Sequence, residues 1–133
     1  MTPFPLKIVT PDGFAFDGSA EELIVRTTTG DLGILAGHIN CVAPLGMGRA
    51  TVVIDGNKRH GACIGGILSV SDGCVTLVTT TFEWAEDIDA KRAEASYQRA
   101  QKILDSKDAT NTEIALAQAR LRRALVRKSV AGK

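Results

Sequence analysis

The sequence has 133 residues, of which 44% are hydrophobic and 23% charged, and its net charge at pH 7 is +1. This composition is typical of a globular chain and excludes wholesale disorder and a fibrous protein, and the length fits one domain or a small domain with an appendage. No apolar run approaches the roughly 18 residues of a membrane helix. MTPFPLKIVT does not resemble a signal peptide, so we expect the chain to stay where it is made.

Charge and glycine content divide the chain in two. Residues 1–85 contain five Lys/Arg and eight Asp/Glu, a net charge of −3, whereas residues 86–133 contain eleven and seven, a net charge of +4. Only Gly132 falls after Gly73. These shifts predict a domain at residues 1–85 and a second at residues 86–133.

The first domain is predicted to be built of strands. Short runs rich in branched residues occur at residues 6–10, 21–28, 50–54, 66–71 and 74–80. The Asp55-Gly56 and Asp72-Gly73 pairs are signals for tight hairpins. Several short strands with frequent turns indicate a β-sandwich or a β-barrel.

The second domain is predicted to contain two helices, at residues 88–104 and 111–128. Apolar residues recur at helical spacing in both: they are Ala93, Tyr97, Ala100 and Leu104 in the first, and Ile114, Ala117, Leu121 and Ala124 in the second. Asp87 is the expected N-cap of the first helix. Thr110 and Glu113 form a capping box for the second, after a break at residues 105–108.

Alanines dominate the predicted contact between the two helices, which indicates an antiparallel hairpin. Small side chains allow close approach but bury little area, so the helices are expected to hold together weakly. Such an element can dissociate and repack, as a switch requires. The alternative is a hairpin permanently docked on the first domain.

Four arginines flank the alanine stripes: Arg92 and Arg99 in the first helix, and Arg123 and Arg127 in the second. Guanidinium groups that converge at one edge of a hairpin suit phosphate. Two other interpretations are a solvated basic face, paired in part with Asp89, Glu94 or Glu113, and a surface for an acidic protein.

Several function classes find little support. Nucleic acid is disfavoured by the near-neutral charge and the 5% aromatic content. The chain has no GxSxG, HExxH or Walker-type motif, so an enzyme is disfavoured as well. Cys41, Cys63 and Cys74 are too widely spaced for a zinc site and are expected to be small buried side chains in a reducing compartment.

Four motifs then identify a resemblance. They are residues 6–13 (LKIVTPDG), 29–38 (TGDLGILAGH), 65–70 (GGILSV) and 88–93 (IDAKRA). In this order and spacing they resemble the epsilon-subunit family of F-type (rotary) ATP synthases, of the bacterial type. The likeness runs from about residue 6 to residue 130. Ala36 and Ile64 depart from the family pattern, where Pro and Ser are common.

The resemblance implies a flattened, all-β sandwich followed by an antiparallel two-helix hairpin. It also implies a non-catalytic subunit of the central stalk, which couples proton translocation to ATP synthesis. The sandwich would bind the gamma subunit and the ring of c subunits. The hairpin would be regulatory: extended, it would reach the catalytic beta subunits, and alpha, and inhibit ATP hydrolysis.

The resemblance also implies where the sandwich meets the c ring. The loop with Gly30, Asp31 and His38 would face the ring, and Asp31 would pair with a cationic loop there. His38 is a candidate pH sensor, because histidine changes charge near neutral pH; the alternative is a polar contact without switching. The chain would lie peripherally on the cytoplasmic side of a bacterial membrane, held by its partners and without inserting. A chloroplast origin is a second option.

Some bacterial members of this family bind one ATP on the folded hairpin, and the resemblance carries that site over residue by residue. The expected ATP contacts are Glu83, Ile88, Asp89, Arg92, Ala93, Arg99, Arg123 and Arg127. ATP would be a regulatory ligand, and no residue of the set requires a metal.

Two other classes of protein remain as alternatives. One is a free-standing sensor or adaptor that binds adenine nucleotides, and the other is a small enzyme. A rotor subunit predicts a tight gamma partner, the sensor predicts none, and the enzyme predicts turnover by the isolated chain.

Overall fold

The computed structural model describes residues 1–132, which form two compact units that meet in sequence between Trp84 and Ala85. Within the described residues, the first unit has the strands β1 (Phe4–Thr10), β2 (Gly13–Ala20), β3 (Glu22–Thr27), β4 (Gly30–Ile34), β5 (Cys41–Ile54), β6 (Asn57–Ser71) and β7 (Cys74–Trp84). The second has a 3-10 helix at Ala85–Asp87, followed by α1 (Ala90–Asp105) and α2 (Asn111–Ala131).

The strands of the first unit are hydrogen-bonded in the order β2-β1-β7-β6-β5-β3-β4. The neighbours are antiparallel except β1 and β7, which are parallel. Although three strands separate β2 from β5 in this order, the two are in contact, so the sheet folds over on itself. An all-β, two-layered first domain followed by two helices confirms the predicted fold class.

Large aliphatic side chains form the core between the layers. Leu6, Ile8, Leu23, Leu68 and Leu77 have no exposed surface. Along β1 they alternate with exposed residues, which is the period of a strand with one buried face. Burial of each such side chain contributes about 1.5–3 kcal/mol, so this core makes the sandwich a stable body.

One glycine in β6 has no substitute. Gly66 has φ +125°, a region that L side chains rarely adopt. A Cβ added there would overlap the carbonyl oxygen of Val78 on β7. The close approach of two backbones explains this glycine of the GGILSV motif.

The sequence did not predict all of the sheet. Neither β2 nor β4 was expected, and β5 and β6 begin earlier than the predicted runs. These segments are rich in glycine, which has low strand propensity. They are extended because each pairs along its length with a neighbouring strand, β2 with β1, β4 with β3, and β5 with β6.

The two helices begin at capping residues. Asp89 caps α1, and its carboxylate accepts a hydrogen bond from the backbone N–H of Arg92 at 3.0 Å. The prediction that Asp87 caps a helix starting at residue 88 was wrong, because residues 85–87 form the 3-10 turn instead. The capping box of Thr110 and Glu113 is confirmed at the start of α2.

The predicted alanine seam joins α1 and α2. Ala93, Ala100, Ala117 and Ala124 are all buried. The larger members of the stripes are half-buried: Tyr97, Leu104, Ile114 and Leu121. Val130, near the end of α2, is also fully buried and was not predicted.

The cysteines lie in three different environments. Cys63 is buried and Cys41 is half-buried. Cys74 is exposed at the first position of β7, directly after the Asp72-Gly73 turn, so the expectation that all three are buried was wrong. Burial raises the pKa of the Cys63 thiol to about 11, against a smaller opposing effect of the Thr79 hydrogen bond. The thiol is therefore protonated at neutral pH and a poor nucleophile.

Candidate functional site

The loop predicted to face a c ring starts with the β3–β4 turn. Gly30 has φ +130°, and its carbonyl oxygen accepts a hydrogen bond of 2.7 Å from the Thr27 hydroxyl. Asp31 lies directly opposite Arg26 across the two strands, and the two form an ion pair with Nε–Oδ1 at 2.8 Å. Because both side chains are about half exposed, the pair is accessible to a partner.

His38 lies in the segment after β4. Its Nδ1 is 2.8 Å from the carbonyl oxygen of Ile39. A carbonyl only accepts, so Nδ1 carries the proton in the neutral ring and Nε2 is left as an acceptor. The segment is attached to the β6–β7 turn, where Asp72 N–H donates to Asn40 Oδ1 at 2.9 Å. Leu35 and Ile39 beside it are exposed.

A row of apolar side chains crosses the outer face of the sandwich. Each member lies directly opposite the next on the neighbouring strand, and directly opposed residues share a face of the sheet. The members, which we name the apolar row, are Phe14, Val9, Val78, Ile67 and Pro44. The exposed fractions of Phe14, Val78 and Ile67 are 61%, 54% and 51%. Alternation within a strand predicts which residues share a face, but only the register between strands reveals such a row.

The arginines singled out by the sequence lie beside the alanine seam. Because successive helical residues rotate by about 100°, Arg92 and Arg99 project from one side of α1, each one residue before a buried alanine. In α2, Arg123 comes one residue before Ala124 and Arg127 three residues after it, which is again one side of the seam. The first three are exposed and Arg127 is half-buried.

A contact on the other side of the seam fixes how the two helices face each other. Glu94 comes one residue after Ala93, and Lys128 comes four residues after Ala124. Their side chains meet, with Nζ–Oε2 at 2.5 Å. In an antiparallel pair this places the arginine sides of both helices together on the opposite edge. We name that edge, with Arg92, Arg99, Arg123 and Arg127, the arginine flank.

Lys128 has two partners on α1. Besides the Glu94 carboxylate, its ammonium lies 4.2 Å from the centre of the Tyr97 ring. Glu94 also accepts a hydrogen bond of 2.9 Å from the Gln98 amide. Lys128 chiefly, and Gln98 in addition, hold the pKa of Glu94 below its usual value. We name Glu94, Tyr97 and Lys128 the clasp.

The clasp and the caps change the interpretation of three carboxylates. The sequence offered Asp89, Glu94 and Glu113 as possible partners of the arginines. Asp89 instead caps α1, Glu113 belongs to the capping box, and Glu94 pairs with a lysine. No sequence pattern predicted the clasp, because it depends on how the two helices are rotated against each other.

The remaining predicted ATP contacts lie in different surroundings. Ile88 and Ala93 are buried, with 9% and 0% of their surfaces exposed. Glu83 is half-buried and belongs to β7 of the sandwich, opposite Ala62. Within the hairpin, the exposed residues of the predicted set are Arg92, Arg99 and Arg123 of the arginine flank and Asp89 at the start of α1.

Two family models together match nearly the whole chain. The beta-sandwich domain of the ATP synthase Delta/Epsilon chain matches residues 3–85, and its long alpha-helix domain matches residues 86–132. The chain belongs to the ATP synthase delta/epsilon family. This confirms the resemblance found in the sequence. As a member of this family, the chain is a non-catalytic accessory subunit of ATP synthase.

Curated relatives in the delta/epsilon family match over full length. The ATP synthase epsilon chain of Bacillus subtilis is 45% identical over 133 residues, covering 100% of both chains. That of Ruminococcus albus is 42% identical over 134 residues, covering 100% of this chain and 99% of the relative. These bacterial epsilon chains agree with the bacterial type inferred from the motifs.

Solved structures share the fold at lower identity. A chain in the Euglena gracilis mitochondrial ATP synthase (OSCP/F1/c-ring) aligns with a TM-score of 0.84 and 23% identity, over 97% of this chain and 81% of that one. A chain in the central stalk/c-ring of the Tetrahymena thermophila enzyme aligns with a TM-score of 0.61 and 15% identity, over 96% and 95%. At these identities the likeness shows the fold alone.

Proposed function

We propose that the chain is a central-stalk, or rotor, subunit that couples proton translocation to ATP synthesis and inhibits ATP hydrolysis through its hairpin. The observation that carries this proposal is the full-length match to bacterial epsilon chains. It would act peripherally on the cytoplasmic face of a bacterial membrane. No helix within residues 1–132 has the length and hydropathy that crossing a bilayer demands.

The apolar row supports a docking role for the sandwich. Monomeric proteins rarely expose contiguous apolar surface without a use for it. Five apolar side chains lie in register on neighbouring strands and would offer another protein a surface to bind. We assign the gamma subunit to this surface. The c ring would meet the loop with Gly30, Asp31 and His38, where Leu35 and Ile39 are also exposed.

A matched pair of variants tests these two assignments. Ile67→Asp places a charge in the apolar row, and Ile39→Asp places one in the loop; both side chains are more than half exposed. We expect Ile67→Asp to weaken binding of the full chain to purified gamma subunit by tenfold or more, and Ile39→Asp to leave it unchanged. Equal binding of gamma by both variants would contradict the assignment.

Two features of the hairpin support the proposal that it is a regulatory element. Its seam consists mainly of alanines, and its arginine flank is largely exposed. In the closed hairpin we propose that this flank binds the phosphates of ATP, with Asp89, Ile88, Ala93 and Glu83 as further contacts. When the hairpin extends, the same positive charges would meet acidic surfaces of the catalytic beta subunits, and alpha. No metal is required by these residues.

Calorimetric titration of the full chain with ATP and then ADP tests the nucleotide site. Arg92→Ala and Arg123→Ala each remove one charged guanidinium group, so we expect each to weaken ATP binding about tenfold to a hundredfold. Arg122→Ala is the matched control, because Arg122 is exposed on the side of α2 away from the seam. If both flank variants bind ATP like the control, the assigned site is wrong.

A further inference from the structure

Lys128 connects the two helices at the end of the hairpin that the chain does not close. Residues 106–110 link the helices at one end, whereas the start of α1 and the end of α2 lie far apart in sequence and have no such short linker. Separation of the helices therefore begins most easily where Glu94, Tyr97 and Lys128 meet. The clasp is placed where it resists that first step.

The geometry of the clasp makes it specific. The ammonium of Lys128 is 2.5 Å from Glu94 Oε2 and 4.2 Å from the ring centre of Tyr97. Glu94 and Tyr97 are three residues apart and so lie on one face of α1. The Gln98 amide holds the Glu94 carboxylate in position from the next turn, at 2.9 Å. One lysine thus contacts a carboxylate and an aromatic ring of the other helix together.

The clasp and the arginine flank lie on opposite edges of one seam. The seam offers little apolar area, because the buried residues that α1 contributes to it are Ala93 and Ala100. The closed hairpin therefore depends more on polar contacts at the edges of the seam than a hairpin with a leucine-rich seam would. A ligand on the flank and the clasp on the other edge both favour the closed arrangement.

We propose that the clasp is the device that holds the hairpin closed and that it sets the affinity of the arginine flank for phosphate-bearing ligands. The second half of this inference rests on the proposed nucleotide site, and the first half does not. Once the closed form is the minor one, a change that lowers its population also lowers the apparent affinity for a ligand on the arginine flank. By linkage, both fall by the same factor.

Amide hydrogen exchange on the full chain tests the first half. Lys128→Met keeps the length and apolar stem of the side chain but removes the charge. We expect the amides of α1 and α2 to exchange about two- to tenfold faster, given typical strengths of such contacts. Lys107→Met is the matched control, because this exposed lysine lies in the turn between the helices.

A double-mutant cycle separates the clasp from a general effect of charge at the end of α2. In a Glu94→Gln background the Lys128→Met change should have less effect, because its partner is already gone, while any interaction with the helix dipole persists. Additive effects would overturn the inference. The inference would also be overturned if the helix amides exchanged at the same rate in Lys128→Met and Lys107→Met. It would likewise fail if the helix amides of the unaltered chain showed no protection from exchange.

Titration of the same variants with ATP distinguishes failure of the clasp from failure of the nucleotide site. Weaker ATP binding by Glu94→Gln, which leaves every arginine in place, supports the coupling. Faster exchange in the clasp variants without ATP binding by any form would leave the clasp established and end the nucleotide proposal. ATP binding that is unchanged in a variant whose helices have lost most of their protection would overturn the coupling.

Discussion

The sandwich and the hairpin are stabilised by different kinds of side chain. In the sandwich, leucine, isoleucine and valine from both layers fill the core, and many of them have no exposed surface. In the hairpin, the buried residues of the two stripes are alanines, and the larger residues of the stripes are half-buried; Val130, near the end of α2, is the larger side chain that is fully buried. Burial of a CH2 group contributes about 0.8 kcal/mol to stability, so a buried alanine contributes only a fraction of what a buried leucine does.

This difference suits the two proposed roles. A docking surface needs strands whose register does not change, and the apolar row exists only in that register. A switch needs two arrangements that differ by a few kcal/mol, so that a ligand or partner can choose between them. An alanine seam with polar contacts at its edges would keep that difference small, as the proposed switch requires.

The largest effect is expected in the sandwich core. Leu77→Ala removes a fully buried side chain and should lower the free energy of unfolding by about 2–5 kcal/mol. Urea unfolding monitored by tryptophan fluorescence measures it. Leu121→Ala is the matched change in the hairpin, where the leucine is half-buried, and we expect a smaller loss that does not move the fluorescence transition. A larger effect of Leu121→Ala on that transition would reverse the comparison.

An intermediate effect is expected from a larger side chain in the seam. Ala124→Leu forces the helices apart and should cost about 1–3 kcal/mol of hairpin closure, which weakens ATP binding as well. Ala115→Leu adds the same side chain at an exposed position of α2 and serves as the control. Loss of helix protection in Ala124→Leu but not in Ala115→Leu, measured by hydrogen exchange, is the expected result. If Ala124→Leu kept its helix protection, the seam would not be closely packed and the account would be contradicted.

The smallest effect is expected from pH. Because the pKa of Glu94 is lowered in the closed hairpin, chiefly by Lys128, its contribution to closure is complete above the ordinary pKa of a glutamate. That contribution disappears as the pH falls through the lowered value. Helix protection should therefore decrease more on acidification in the unaltered chain than in Glu94→Gln. Identical pH profiles of the two forms would exclude a role of this carboxylate.

The fold class was predictable because its signals are local. Hairpin turns at Asp55-Gly56 and Asp72-Gly73 and the capping box at Thr110 each depend on a few adjacent residues. β2 was not predictable, because GFAFDGSA has low strand propensity and becomes extended only by pairing with β1. The start of α1 was misplaced for a similar reason: Asp87 and Asp89 are equivalent as capping residues until the 3-10 turn selects the second.

The candidate site was predictable only in part. Helical spacing placed Arg92, Arg99, Arg123 and Arg127 beside the alanines, and the structure assigns all four to one edge of the hairpin. Spacing alone did not reveal the clasp, since the partner of Lys128 depends on which edges of the two helices meet. The ion pair between Arg26 and Asp31 also depends on strand register, and it means that Asp31 already has a cationic partner before any c ring approaches.

The measurement that tests most directly whether the two units differ in stability is urea unfolding of the full chain with two probes. Trp84, the single tryptophan, is buried in the sandwich, donates to the Ala15 carbonyl at 3.0 Å and packs edge-to-face on Phe82, so its fluorescence reports the sandwich. Circular dichroism at the helix band reports the hairpin. We expect the helix signal to be lost at lower urea than the fluorescence, with ATP raising only the helix transition. Coincident transitions would mean one cooperative unit and would contradict a hairpin that opens on its own.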